Sequence, residues 1–102
     1  MPLMEISIIP IGTKKPSISE YVALSEEALR NIRGIKVQIT AMGTIVEADS
    51  LSTLFKVAQI MHQQILSHGI KRVLTNITVD DRTDKKVTIK GKIDSLRKRM
   101  RF

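Results

Sequence analysis

The chain has 102 residues, 42% of them hydrophobic, with no cysteine and a formal net charge of +7. That length fits one domain and is too short for two separate cores; the apolar content argues against general disorder, and the lack of cysteine excludes disulfide frameworks and thiolate metal sites. The charge is localised: residues 1–81 carry eight Lys/Arg against eight Asp/Glu, whereas 82–102 carry nine against only Asp84 and Asp94, so a neutral body bears a basic tail and is not itself a basic nucleic-acid-binding domain.

Met4-Glu5-Ile6-Ser7-Ile8 alternates with period two and predicts a first strand with Met4, Ile6 and Ile8 on one face. The N-terminus has no basic region and carries Glu5 within its apolar run, unlike a signal peptide. No uncharged stretch approaches the roughly 18 residues of a membrane span, and the expectation is a soluble, cytoplasmic protein. Pro10 has no N–H for a ladder, and Gly12 to Ser17 is small, polar or basic, which is either punctuation or a loop shaped to hold something. Ser17-Ile18-Ser19-Glu20 has the pattern of a capping box, with Ile18, Val22, Ala28, Leu29 and Ile32 as the apolar stripe of a first helix and Gly34 as its stop.

Lys36 to Ala41 alternates again, with Val37, Ile39 and Ala41 on one face, and Met42-Gly43 turns the chain into a third strand, Thr44 to Ala48. Asp49 or Ser50 caps a second helix over about 51–68, with Leu51, Leu54, Phe55, Ala58, Met61 and Ile65 as its stripe and Gly69 as its stop. Arg72 to Val79 is the fourth strand, "DDRTDKK" (80–86) a charged turn, and Ile93, Leu96 and Met100 mark a short amphipathic helix in the tail.

The order is β-α-β-β-α-β plus a tail, an α+β ferredoxin-like sandwich. Right-handed crossovers put two helices on one face of a four-stranded antiparallel sheet of order 4-1-3-2. Residues 1–87 are expected to form the domain, and 88–102 a basic helical tail packed on it or on a neighbouring subunit. The uncovered face would carry Ser7, Ile9, Ile11, Gln38, Thr40, Met42, Ile45, Glu47, Leu74, Asn76 and Thr78, apolar enough to predict a homo-oligomer, a dimer or a dimer of dimers.

This topology is expected to gather Gly12-Thr13 and Gly43-Thr44 at one rim, with Glu5, Glu47 and Asp80 at the other. No catalytic or metal constellation stands out. His62 and His68 are six apart on one helix, and HExxH is absent. A Glu47/Asp80 acid–base pair is the enzymatic alternative, against solvated carboxylates paired with Arg72 or Arg82. Specific RNA binding on the sheet would need stacking aromatics, and Tyr21, Phe55 and Phe102 fall on no predicted strand. What remains is a small-molecule site in which Thr13, Thr44 and Thr75 offer hydroxyls, Met42 an adaptable wall, and the glycines close backbone approach. Such a set suits a flat heterocycle with polar edges.

"EISIIPIGT", "PSISEYVA", "MGTIVE", the helix-borne His62, "GIKRVLTNITVDDRTDKK" and Lys92/Ser95 together resemble the small thiamine-binding protein family, over about residues 3–96. The resemblance implies a ferredoxin-like fold, assembly into dimers and often tetramers, and binding of thiamine or its hydroxymethylpyrimidine moiety without turnover or cofactor. It carries over to Pro10, Gly12, Thr13, Ser17, Met42, Gly43, Thr44, Glu47, Arg72 and Thr75 as ligand-binding candidates, with Asp80 and Arg82 as further matched positions. Ala48 departs from the Gly usual in the family, and Asn76 from the common Thr. The alternative is a regulatory oligomer whose basic tail recruits an acidic partner. Neither reading involves a membrane or a specific nucleic acid.

Overall fold

Met4, Ile6 and Ile8 alternate along the first strand, and all three are buried. The computed structural model describes residues 1–100. In chain order its elements are β1 (Leu3–Ile11), α1 (Ser19–Glu27), β2 (Ile35–Ile39), β3 (Thr44–Ala48), α2 (Leu51–Leu66), β4 (Arg72–Asp80) and α3 (Ile89–Arg99). The sheet is antiparallel throughout, in the order β2-β3-β1-β4, which is the expected 4-1-3-2 read from its other edge. The fold is the ferredoxin-like α+β sandwich with a third helix added.

The core lies between the β1 and β3 faces and α2, with Met4, Ile6, Val46, Leu54, Val57, Met61 and Ile65 each at most 1% exposed. Each such side chain contributes roughly 1.5–3 kcal/mol of hydrophobic stabilisation. Ser50 caps α2 by accepting from the Thr53 N–H at 3.2 Å. The buried stripe of α2 is Leu54, Val57, Ala58, Met61 and Ile65, so the helix is rotated from the expected orientation. Val57 is core, whereas Leu51 and Phe55 lie at the edge, exposed.

Three local expectations change. Ser17 does not cap α1: the N-cap is Ile18, without a side-chain bond, and the Ser17 hydroxyl pairs with that of Ser19 at 3.2 Å. Helix α1 also stops at Glu27, because Leu29, Arg30 and Ile32 N–H groups bond three residues back and tighten the chain into turns before Gly34. Strand β2 stops at Ile39, two residues early. Thr40 takes over there: its hydroxyl donates to the Gly43 carbonyl at 2.7 Å and accepts from the Gly43 N–H at 3.1 Å, closing a turn over 40–43. As part of an edge strand beyond the helices, Val37 and Ile39 are exposed although register puts them on the core side.

The sheet's other face is not wholly open, because α3 stands on its β2–β3 end. Glu47 is 2% exposed there, and its Oε1 accepts the Ile89 N–H at 2.8 Å, at the first turn of α3, where the helix dipole favours an anion. Its Oε2 has no hydrogen bond, only the Lys36 ammonium at 3.8 Å. Thr88 caps the same helix through the Gly91 N–H at 2.9 Å, and Lys92 bonds Asp80. Further along, Lys90 donates to Asp94 at 2.7 Å, which holds the Asp94 carboxyl below its ordinary range. The expected tail stripe is thus partly engaged: Ile93 is half-buried, while Leu96 is 60% exposed. Arg101 and Phe102 fall outside the described residues.

Glu47→Ala is expected to release the first turn of α3. Hydrogen exchange should show the Ile89 amide opening about tenfold faster, the equivalent of one charge-assisted hydrogen bond, while β1 amides keep their protection. An unchanged Ile89 rate would mean that Glu47 does not hold the helix.

Candidate functional site

Strand β1 is longer than β3, and this mismatch creates the site. Pairing of β1 with β3 ends at Ile6↔Thr44, whereas pairing with β4 continues to Ile11↔Arg72. From Ser7 onward β1 therefore has a partner on one side only. Which backbone groups face the vacant side follows from two observations. A Cβ placed on Gly43 would stand 3.0 Å from the Ile6 carbonyl oxygen, so Ile6 directs its peptide groups toward the hairpin. Alternate residues of a strand point their N–H and C=O to the same side, so Ile8 and Pro10 do likewise. Pro10 agrees independently: it is paired with Val73 of β4 and has no N–H to give, which a ladder tolerates only on the unpaired side.

Ile8 thus presents an N–H and a C=O to a cleft with no β3 residue opposite. The cleft holds about 640 Å³, within the range of small-molecule sites. Its walls are β1 from Ile6 to Ile9, the loop and first turn of α1 from Pro16 to Ser19, and the hairpin from Ile39 to Thr44; Val22, Ser25 and Met61 line it from the helices. Gly43 lets the hairpin approach β1 this closely, since a side chain there would crowd the Ile6 carbonyl.

Three of the hydroxyls around the cleft are already committed as donors, while those of Ser17 and Ser19 pair with each other. Ser25, 1% exposed, donates to the Val22 carbonyl at 2.7 Å. Thr44, 3% exposed, donates to the Glu26 carboxylate. Thr40 is consumed by its own turn. Glu26 lies outside the apolar stripe expected of α1, yet the helix turns it inward, half-buried, against Thr44 of β3. Its polarity hid it, because the signal is a partner 18 residues away.

Of the ligand-binding candidates, Ser17, Met42, Gly43 and Thr44 line this cleft. Pro10 lies just past it on the same strand edge. The two Gly-Thr pairs do not converge as expected. Thr44 sits opposite Ile6, six residues before Gly12, roughly 20 Å along the strand at about 3.3 Å per residue. Gly12 has φ 89° and makes a turn, and the Thr13 hydroxyl donates to the Lys15 carbonyl at 2.9 Å. Arg72 is paired with Ile11 at that far end. Thr75 faces α2, sharing a hydrogen bond of 2.6 Å with His62 Nδ1.

Glu47 lies at the opposite rim, as does Asp80, each beside Leu3. With β1 between them the two positions stand roughly 9–10 Å apart, and each carboxylate has its own partners, Ile89 and Lys36 for one and Lys92 for the other. Arg72 and Arg82 are not those partners; Arg82 pairs with Asp84. Ala48 and Asn76, the two departures from the family pattern, also lie away from the cleft. Among the described residues no group of three His, Asp or Glu could hold a metal, and no helix is long and apolar enough to cross a membrane.

The family model described as "Thiamine-binding protein" matches residues 4–97. The UPF0045 protein YqgV of Bacillus subtilis is 44% identical over 103 residues, spanning 98% of each chain. Among solved structures, protein MJ1052 of Methanocaldococcus jannaschii superposes with a TM-score of 0.84 at 35% identity, covering 93% of this chain and 94% of its own. A domain of unknown function from Bacillus cereus gives 0.78 at 26% identity, covering 90% and 86%.

Thr44→Val leaves the half-buried Glu26 carboxylate without its donor and is expected to cost about 1–3 kcal/mol, read as a lower urea midpoint. Thr44→Ser should restore most of it. Equal stability of all three proteins would mean that the bond carries no load.

Proposed function

Because this chain belongs to the thiamine-binding protein family, we propose that it binds thiamine, or the hydroxymethylpyrimidine part of it, in the cleft beside the unpaired edge of β1. The observation that carries the reading is the vacant backbone pair at Ile8. An aminopyrimidine offers a ring nitrogen acceptor next to an amino donor, which matches an N–H beside a C=O on a free strand edge. Apolar neighbours Val22, Met61 and Ile39 suit the ring faces, and Met42, 85% exposed at the mouth, can fold over an occupant. Binding is non-catalytic on this reading and needs no cofactor; the protein acts as a cytoplasmic carrier or sensor of the vitamin.

The proposal includes a homo-oligomer. On the face away from α1 and α2, Ile9, Ile11 and Leu74 are 41%, 38% and 44% exposed, and Ile9 and Leu74 are paired neighbours. A second copy covering this patch would bury it while leaving the cleft's helix side open. Neither specific nucleic acid nor membrane enters the proposal.

Isothermal titration with thiamine and with hydroxymethylpyrimidine tests the binding. The expectation is measurable heat at or below roughly millimolar ligand, weakened about tenfold or more by Val22→Phe, which fills the cleft, with the melting temperature retained. Absence of both heat and thermal stabilisation for the wild type would sink the reading. For assembly, sedimentation should show a dimer or larger species that Leu74→Asp converts to monomer; a monomeric wild type would refute the oligomer.

A further inference from the structure

Three hydroxyls lining the cleft away from the α1 loop, those of Ser25, Thr40 and Thr44, have their protons committed to protein acceptors. Ser25 gives its proton to the Val22 carbonyl, Thr40 to Gly43 and Thr44 to Glu26. Among the described residues no Lys, Arg or His lines the space. On the walls formed by β1, Val22–Ser25 and the hairpin, the fixed donor is therefore the Ile8 N–H, while the acceptors include the Ile8 C=O and the remaining lone pairs of Ser25 and Thr44. The exposed Ser17 and Ser19 of the loop share one hydrogen bond between them. A backbone N–H/C=O pair alone does not choose between an amino and an oxo heterocycle, since either can meet it with the edge reversed. The surrounding acceptors break that tie.

We infer that Glu26 sets the ligand specificity of the cleft: by holding the Thr44 proton, it makes the wall an acceptor surface that selects an amino-bearing heterocycle over its oxo analogue. The inference rests on the binding reading above and adds the chemical class that the site rejects. Glu26 touches no ligand in this account and acts as a positioning residue through Thr44. Of the three committed hydroxyls only this one depends on a side chain 18 residues away. The other two are fixed by backbone carbonyls within their own turns, which no substitution removes. Selectivity is thus concentrated in one replaceable carboxylate.

The probes are thiamine and oxythiamine, which differ in that a carbonyl replaces the 4-amino group and the adjacent ring nitrogen carries a proton. Both carry the thiazolium cation, so any direct effect of the Glu26 charge on that ring alters both affinities alike and leaves their ratio unchanged. Titration of the wild type should favour thiamine by about tenfold or more, as expected where a site's buried acceptors meet another acceptor. Glu26→Ala frees the Thr44 hydroxyl to rotate and should bring the two affinities within about threefold of each other. Glu26→Gln, whose side-chain carbonyl can still accept the Thr44 proton, should keep the preference. Equal binding of both ligands by the wild type overturns the inference on its own. So does an undiminished ratio in Glu26→Ala, provided that a melting curve shows the variant folded; if it is not, loss of preference in Glu26→Gln serves as the contradicting result. A wild type that binds neither ligand rejects the underlying reading as well, which distinguishes the two failures.

Discussion

The register of β1 is the constraint from which the site follows. A nine-residue strand lies between neighbours of unequal reach: β4 pairs along its whole length, and β3 stops at Thr44. A buried strand edge without a partner would leave peptide groups unsatisfied at a cost of about 1–3 kcal/mol each. Here the vacancy is limited to very few groups. Pro10 has no N–H to strand, which also blunts the edge against pairing with another chain, and the N–H and C=O of Ile8 open onto a solvent-accessible cleft. The same geometry explains Gly43, which must sit against the Ile6 carbonyl, and the Thr40 turn, which ends β2 early and keeps the hairpin from extending along β1.

The two ends of the sheet divide labour. At the cleft end Ser25 and Thr40 are oriented by bonds within their own turns and Thr44 by Glu26. At the other end Glu47, Asp80, Lys36 and Lys92 anchor α3. Three of the basic side chains there, Arg82, Lys90 and Lys92, are each paired with an aspartate. These ion pairs are largely exposed and contribute little individually; the buried Glu47 at the helix N-terminus is the firmer attachment. A basic tail on a neutral body therefore reads here first as a helix docked on the body's carboxylates, Glu47 and Asp80.

The fold was legible in the sequence because its periodicities are clean: Met4, Ile6 and Ile8 at period two, and Leu54, Ala58, Met61 and Ile65 at helical spacing, are among the buried residues of their elements. The lining of the cleft was half legible. Thr44, Gly43 and Met42 were accessible to reasoning from turns and residue chemistry, and Ser17 only through the family resemblance. Gly12, Thr13 and Arg72 were misplaced relative to them because strand order does not reveal register: a five-residue overhang moves one end of a strand well out of reach of its neighbour's start. Glu47 looked like a site carboxylate because nothing in its own segment announces that a helix 42 residues later will claim it. Glu26 was hidden for the same reason, and so was Ile8, whose contribution is backbone and leaves no trace in residue type.

The most direct test of the account is the backbone amide of Ile8 in an NMR titration with hydroxymethylpyrimidine. The geometry predicts that this amide exchanges readily in the free protein, shifts on addition of ligand and becomes protected, together with the amides of Gly43 and Thr44, while those around Glu47 and Ile89 stay unchanged. Saturable binding that leaves Ile8 unperturbed and moves residues of the opposite rim instead would contradict it.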